Sequence, residues 1–442
     1  MNKIRFAALF AAVMLMLNGC AAPHADGSFA VDSGSIPVPE ITPAPTEELE
    51  VVQPVTQMQT VGAVVYNPLC IPTAFEGSAD FSAELYTLLG TAVRNGAETV
   101  DVSSMTVTEA QFNTVRRYLV KRNPWGNIAD ITKGEGASIA IAYIGKEEPA
   151  VVEDDKKKDD KKKDETPAET SAPVVEDVDT VKRFDLAAEH LLSTVVKPEH
   201  TQLSAAIALY KHIAQSVETD NEDELGMYST LANGKGTALS VANLYGFMLD
   251  QIGVKNVVVT SEDGSHAWNV LTIGEDSFHC DLQMEAGLNG GQALAGFGLS
   301  DADVARINGW NTWSSENNAL LTCNKTLLAD VNAAKCADVD AAGNAVYFDG
   351  MGALPGIWRM DLATGTVMQI KEEPVAALAV LGEHVYYMDA ADSMMYSMRL
   401  DNGEIYPVIE GVAVTAMYRV GSELRYIAAD DPTESENSIS IE

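Results

Sequence analysis

Residues 237–251 carry Ala238, Leu239, Val241, Leu244, Phe247 and Met248 among other apolar side chains that leave almost no helical face polar. A helix apolar nearly all round is buried centrally rather than laid on a surface, so the surrounding domain must be built around it. Gly253 supplies a C-terminal cap, and the β-branched run 254–260 reads as a buried strand. Two more strand-like runs, 266–273 and 277–282, flank a turn at Gly274, Glu275 and Asp276. Paired as a hairpin, they set His266 and Asp281 opposite or diagonal on one sheet face, with Cβ atoms roughly 4.5 to 8 Å apart. That separation allows a side-chain hydrogen bond, and a histidine oriented by a carboxylate is half of a nucleophilic triad.

The order Asn233-Gly-Lys-Gly236, apolar helix, Ile252-Gly253-Val254, His266-Ala-Trp-Asn269 and strand-borne Asp281 resembles the transglutaminase-like superfamily, whose fold is akin to papain-like cysteine proteases. The resemblance implies a catalytic Cys at the N-terminus of the central helix, where unpaired N–H groups and the helix dipole favour thiolate. Aligning the glycines puts Ala238 at that position, with Thr237 just before it, so the chain lacks the family nucleophile. Thr237 is the one neighbouring side chain able to attack, but it lies about 100° of helix rotation from the site normally used. Cys280 adjoins Asp281, yet strand alternation sends it to the opposite face as a buried, inert thiol. The family's Thr-Trp-acid continuation after the Asp is replaced by Leu282-Gln-Met-Glu285, a second departure consistent with lost catalysis.

Around this core the chain divides by composition. Residues 1–20 read as a lipoprotein signal peptide: Lys3 and Arg5, an apolar stretch too short to span a bilayer comfortably, and Leu17-Asn-Gly-Cys20 resembling a lipobox. This implies acylation of Cys20 and attachment to the extracytoplasmic face of a bacterial cell membrane. Residues 21–60, rich in Pro, Ala, Ser, Thr and Glu, read as a disordered tether. Residues 61–145 read as a small α/β domain. Phe81, Leu85, Leu88, Leu89 and Ala92 take helical spacing before Asn95-Gly96, and Thr106 with Glu109 suggests a capping box for the next helix. This region resembles the one preceding the catalytic domain in surface transglutaminase-like proteins, and equally a generic α/β module. Residues 146–180 form a charged, disordered linker whose acidic residues outnumber its lysines, a spacer rather than a polyanion site. The transglutaminase-like domain then occupies 181–335, with Leu203, Ile207, Tyr210 and Ile213 on one face of a helix that precedes the central one. Its tail, Phe297 to Asp303 and then Trp310-Asn-Thr-Trp313, resembles the family's short capped helix and aromatic closure.

From 336 to 430 the pattern changes to repeats. Ala345-Val-Tyr-Phe-Asp349, His384-Val-Tyr-Tyr-Met-Asp389 and Leu424-Arg-Tyr-Ile427 recur about every 39 or 40 residues, with turns at Thr364-Gly365 and Asn402-Gly403. The layout is that of β-propeller blades, but about two and a half units are too few to close a propeller, so a small open β-domain docked on the preceding one is expected. Residues 431–442 read as a disordered tail. The expected class is α+β: a papain/transglutaminase-like core with a central helix against an antiparallel sheet, an N-terminal small α/β region and a C-terminal all-β repeat segment.

A net charge of −35, from 64 acidic and 29 basic residues, argues against nucleic-acid binding. No His and Cys spacing suggests zinc and no Gly-rich loop suits a phosphate, so no cofactor is expected. Cys70, Cys280, Cys323 and Cys336 sit in an oxidising compartment on this reading, and Cys323 could pair with Cys336 across a short loop. The expectation is a membrane-anchored, non-catalytic module that binds an extracellular polypeptide or cell-wall peptide. The alternatives are an amidase, protease or acyltransferase using a non-Cys nucleophile, and a structural surface adaptor.

Overall fold

The interior of the protein is organised by one helix, Ala238–Gln251, lying against a five-stranded antiparallel sheet. The computed structural model describes residues 59–122, 128–144, 178–219, 226–286, 293–318, 321–420, 423–431, 433 and 435–440. The expected signal peptide with Cys20, nearly all of the tether and the charged linker up to residue 177 lie outside the described residues.

The N-terminal region holds α1 (Ala83–Arg94), β1 (Thr99–Asp101), α2 (Glu109–Arg122), β2 (Ile128–Lys133) and β3 (Ser138–Tyr143), with the strands in the order β1-β3-β2. Ser82 caps α1 by accepting from Leu85 N at 3.2 Å. The expected Thr106–Glu109 capping box is displaced by two residues. Thr108 Oγ1 accepts from Gln111 N at 3.2 Å, and Thr108 N donates to Gln111 Oε1 at 3.1 Å. Glu109 instead turns outward to Lys133.

The central region runs α3 (Val178–Val195), α4 (Gln202–Ser216), β4 (Glu218–Thr219), α5 (Met227–Asn233), β5 (Lys235–Gly236), α6 (Ala238–Gln251), β6 (Lys255–Ser261), β7 (Ala267–Ile273), β8 (Asp276–Cys280), α7 (Leu282–Ala286), β9 (Phe297–Leu299), α8 (Asp301–Asn308), β10 (Trp313–Ser315) and α9 (Ala329–Asn332). The helix α3 begins at Val178, inside the stretch expected to be linker. The helix α6 ends in a Schellman motif: Gly253 at φ 69° donates to Asp250 O, and Val254 N donates to Leu249 O. The sheet order is β10-β6-β7-β8-β9, with β7 and β8 joined through Gly274 and Glu275 so that Ile273 faces Asp276. Period-two alternation divides its faces. Leu271, Phe278 and Cys280 join the core with α6, whereas Trp268, Val270 and Val304 of α8 form a second cluster.

Three antiparallel sheets follow: β11 (Ala337–Val339), β12 (Ala345–Met351), β13 (Leu354–Asp361) and β14 (Val367–Lys371); β15 (Val375–Leu381), β16 (His384–Asp389), β17 (Met395–Arg399) and β18 (Ile405–Pro407); and β19 (Val414–Val420), β20 (Glu423–Ala428) and β21 (Glu436–Ser440). The expected disordered tail therefore contains β21, which completes a third sheet by pairing Leu424 with Ile439. There are three units where the repeats suggested about two and a half, and no closed propeller forms among the described residues. Val346 and Phe348 face the α/β core, Ala345 and Tyr347 the second sheet, while Tyr386 and Met388 of the second sheet face the third. The outer face of the third sheet is polar: Arg425 lies 3.5 Å from Glu423 and 3.3 Å from Glu436, and Tyr418 reaches Glu436. A charged outer face is how a stacked array terminates without exposing apolar surface. The chain is thus α+β, with several antiparallel sheets.

Candidate functional site

The stretch before α6 delivers its N-terminus tightly. Gly234, left-handed at φ 65°, ends α5, and β5 pairs in parallel with β4. A Cβ on Gly236 would lie 2.6 Å from Thr230 Oγ1 and 2.8 Å from Ser240 Oγ, so only glycine lets α5 and α6 approach here. Thr237 then forms the N-cap, its Oγ1 accepting from Ser240 N at 3.2 Å. The hydroxyl thereby satisfies an orphan helix donor through one of its lone pairs, the role of an N-cap. Ala238 is the first residue of α6, and its methyl packs against Ala242, Val258 and Ala267. Ala267 directly follows His266, so Ala238 packs against the start of β7, next to the histidine.

His266 is fixed by the turn between β6 and β7. Its backbone N donates to Ser261 Oγ at 3.1 Å, while Ser261 N donates to His266 O at 3.0 Å. Asp263 organises the turn by accepting from Ser261 Oγ, Ser265 N and Ser265 Oγ, and these bonds hold its carboxyl at about 2. Asp281 lies diagonal to His266 across β7 and β8. Its Oδ2 is 2.8 Å from His266 Nε2, with the side chains only 12% and 4% exposed. Asp281 also starts α7, where its Oδ1 accepts from Gln283 N at 3.1 Å. With Nε2–H donating to the carboxylate, Nδ1 is the nitrogen whose lone pair is left to take a proton. The geometry is that of a histidine oriented by a carboxylate, with Ala238 at the start of α6 packed against the residue that follows the histidine.

An aromatic slab covers the dyad. Trp310 stacks on His266 at 4.6 Å and 28°, and on Trp268 at 4.9 Å and 11°. Trp310 follows Gly309, the left-handed C-cap of α8. Beneath it runs a second His–Asp pair that the sequence reading missed. Trp268 Nε1 donates to His279 Nδ1 at 2.9 Å, and His279 Nε2 lies 2.9 Å from Asp301 Oδ1, which also accepts from Cys323 N at 3.2 Å. Ligand atoms of His279, Asp301 and Cys323 lie within 4.8 Å of one another. They do not fit a metal ion. The Trp268 donor occupies Nδ1, so the neutral ring carries its proton on Nε2, and no lone pair is left there for a cation. Burial keeps His279 neutral and, with Asp301, raises the Cys323 thiol, leaving both in their uncharged forms. The trio braces Trp268. Only the Trp of His-Ala-Trp hinted at it from the sequence.

Cys280 is fully buried beneath α6, and burial raises its thiol well above the ordinary range. The pairing considered for Cys323 and Cys336 is absent: both are free, Cys323 packing with Trp268 and Cys336 between the first two sheets. Cys70 and Cys280 are likewise free.

No protein-family profile matches the chain, and no curated protein matches it in sequence. Solved structures with partial similarity include a proposed cysteine protease from Cytophaga hutchinsonii, at 15% identity over 22% of this chain and 37% of that one, TM-score 0.19. A proposed protease from Parabacteroides distasonis shows 11% identity over 35% of this chain and 29% of that one, TM-score 0.23. TolB from Acinetobacter baumannii shows 12% identity over 46% of this chain and 53% of that one, TM-score 0.20. The chain thus spans about a third of the length of the two proteases and about half of TolB. Similarity at this level does not establish a shared fold.

Proposed function

We propose that residues 181–335 are a transglutaminase-like, papain-type domain that has lost its nucleophile and binds a polypeptide or cell-wall peptide without cleaving it. The observation that carries this reading is the pairing of His266 Nε2 with Asp281 Oδ2 at 2.8 Å beside a central helix that begins with Ala238. A dyad of this geometry activates a nucleophile by taking its proton, and Ala238 has none to give. The capping bond of Thr237 and the burial of Cys280 in the core support this reading over a substitute nucleophile at either residue. On this proposal the chain is anchored through an acylated Cys20 at the extracytoplasmic face of a bacterial membrane, the sheets from 336 onward offering a second surface. A structural adaptor with a closed cleft is the second reading, favoured by Trp310 lying over His266.

The test introduces Ala238→Cys into the full chain and follows alkylation by iodoacetamide against pH, with and without His266→Ala. The expected outcome is a thiol reactive well below the ordinary cysteine pKa of about 8.5, a shift that vanishes in the double variant. An introduced thiol that behaves as an ordinary one rejects the retained-cleft geometry. Amide turnover by the unmodified chain that disappears in His266→Ala would sink the non-catalytic reading.

A further inference from the structure

Asp281 is also held through its backbone, on both its N–H and its carbonyl. Tyr210 Oη donates to Asp281 O at 2.9 Å and lies 3.2 Å from Glu285 Oε1. Glu285 Oε1 accepts from Gly296 N at 3.0 Å, and Asp281 N donates to Gly296 O at 2.8 Å. The cage leaves no space for a side chain, because a Cβ on Gly296 would lie 2.2 Å from Asp281 O and 2.6 Å from Tyr210 Oη. Glu285 is fully buried and its Oε2 has no hydrogen-bond partner. Burial raises its carboxyl, and the nearby Lys211 ammonium works against that rise.

Lys211 follows Tyr210 on α4 and points into the three-sheet array. Its Nζ donates to Ala337 O and lies 3.3 Å from Asp338 Oδ1. The same carboxylate accepts from Val380 N at 2.8 Å and lies 3.2 Å from Arg419 Nη2. One ion cluster therefore ties β11, β15 and β19, the first strand of each of the three sheets from Ala337 onward, to the helix that also anchors Asp281.

We propose that Tyr210 and Glu285 are positioning residues for the His266–Asp281 dyad, and that Lys211 joins them to the ion cluster at Asp338 so that the array regulates how firmly the dyad is held. This rests on the dyad being the functional centre of the domain. A ligand or contact that displaces one sheet against its neighbours would strain Asp338, shift Lys211 and loosen the backbone of Asp281.

The experiment reads exchange of the His266 Nε2 proton with solvent, by NMR of the full chain labelled with nitrogen-15 histidine, normalised to exchange of the Val270 amide. His266→Gln assigns the signal. Expected is a rise of about tenfold in Tyr210→Phe, as for loss of one buried hydrogen bond, with a smaller rise in the same sense in Lys211→Met and Asp338→Asn. Val115→Ala, a buried change in the N-terminal region, leaves the normalised rate unchanged. Glu285→Gln is expected to raise the rate in the same sense as Tyr210→Phe; should it fail to fold, Tyr210→Phe and Lys211→Met carry the test. An unchanged rate in Tyr210→Phe, an unchanged rate in both Lys211→Met and Asp338→Asn, or an equal rise in Val115→Ala overturns the proposal. Because no ligand is added, failure of peptide binding would count against the proposed function and leave this coupling standing.

Discussion

Trp310 lies flat over His266, ring centres 4.6 Å apart, and the same indole stacks on Trp268 at 4.9 Å. Its removal is expected to open the dyad without dismantling it, because Asp281 and the turn at Ser261 hold His266 independently. Trp310→Ala should therefore speed modification of His266 by diethyl pyrocarbonate by about an order of magnitude and destabilise the chain by about 2 kcal/mol. If the cleft serves a ligand, affinity changes with it. Unaltered modification would mean that some other group shields His266.

Asp250, near the end of α6, is fully enclosed. Its Oδ1 accepts from Thr73 N at 2.9 Å, Thr73 Oγ1 at 2.8 Å and Asn256 Nδ2 at 3.0 Å, yet burial pushes its carboxyl up to about 6 from the ordinary 3.8. A raised folded value favours the protonated form. The associated stability is fully present below about 3.8 and is lost as pH rises through about 6, amounting to about 3 kcal/mol. Asp250→Asn keeps the Oδ1 acceptor and cannot ionise. Its stability relative to the unmodified chain is thus expected to grow between pH 4 and pH 8 in denaturant unfolding. Parallel pH profiles for the two chains would refute the assignment.

The sequence was most legible where one physical requirement left one solution. An all-apolar stretch had to be central, and Gly274 between alternating runs had to be a hairpin, which was enough to bring His266 to Asp281. Local rules failed where two residues satisfied them equally, as with Thr106 and Thr108 before α2. They also failed where pairing came from elsewhere. The strand β21 is polar and unpatterned, and exists because β20 supplies its ladder. Tyr210 and Glu285 lie 75 residues apart and read as an ordinary core tyrosine and a departure from the family motif. Cys323 and Cys336 are close in sequence but belong to different packing layers, which spacing alone does not reveal.

Gly246 sits mid-helix in α6 where alanine would ordinarily stabilise by about 1 kcal/mol. A Cβ there would lie 2.2 Å from Arg122 Nη2 and 2.7 Å from Asn256 Oδ1. Arg122 cannot retreat easily, being buried and paired with Glu316 at 2.7 Å. Gly246→Ala is accordingly expected to destabilise by about 2 kcal/mol or more, the clash outweighing the propensity gain. A neutral or stabilising result by thermal unfolding would show that Arg122 repacks freely.

The ion cluster at Asp338 makes a graded prediction. Lys211 and Asp338 are each 3% exposed and Arg419 21%. Asp338→Asn removes the countercharge and leaves Lys211 buried with the Ala337 carbonyl, an imbalance of about 3 to 5 kcal/mol. Arg419→Met should cost less, because its guanidinium reaches solvent and Lys211 remains to face Asp338. Adding Lys211→Met to Asp338→Asn should recover much of the loss, since the unpaired buried charge disappears while the amide oxygen of Asn keeps an acceptor for Val380 N. The flanking charges hold the Asp338 carboxyl below the ordinary range despite burial. Its contribution is therefore present above the unfolded value and is lost as pH falls through the lower folded one. Amide exchange in β11, β15 and β19 reads all three variants, and a double variant no better than Asp338→Asn would show that the cluster is held by packing rather than by charge.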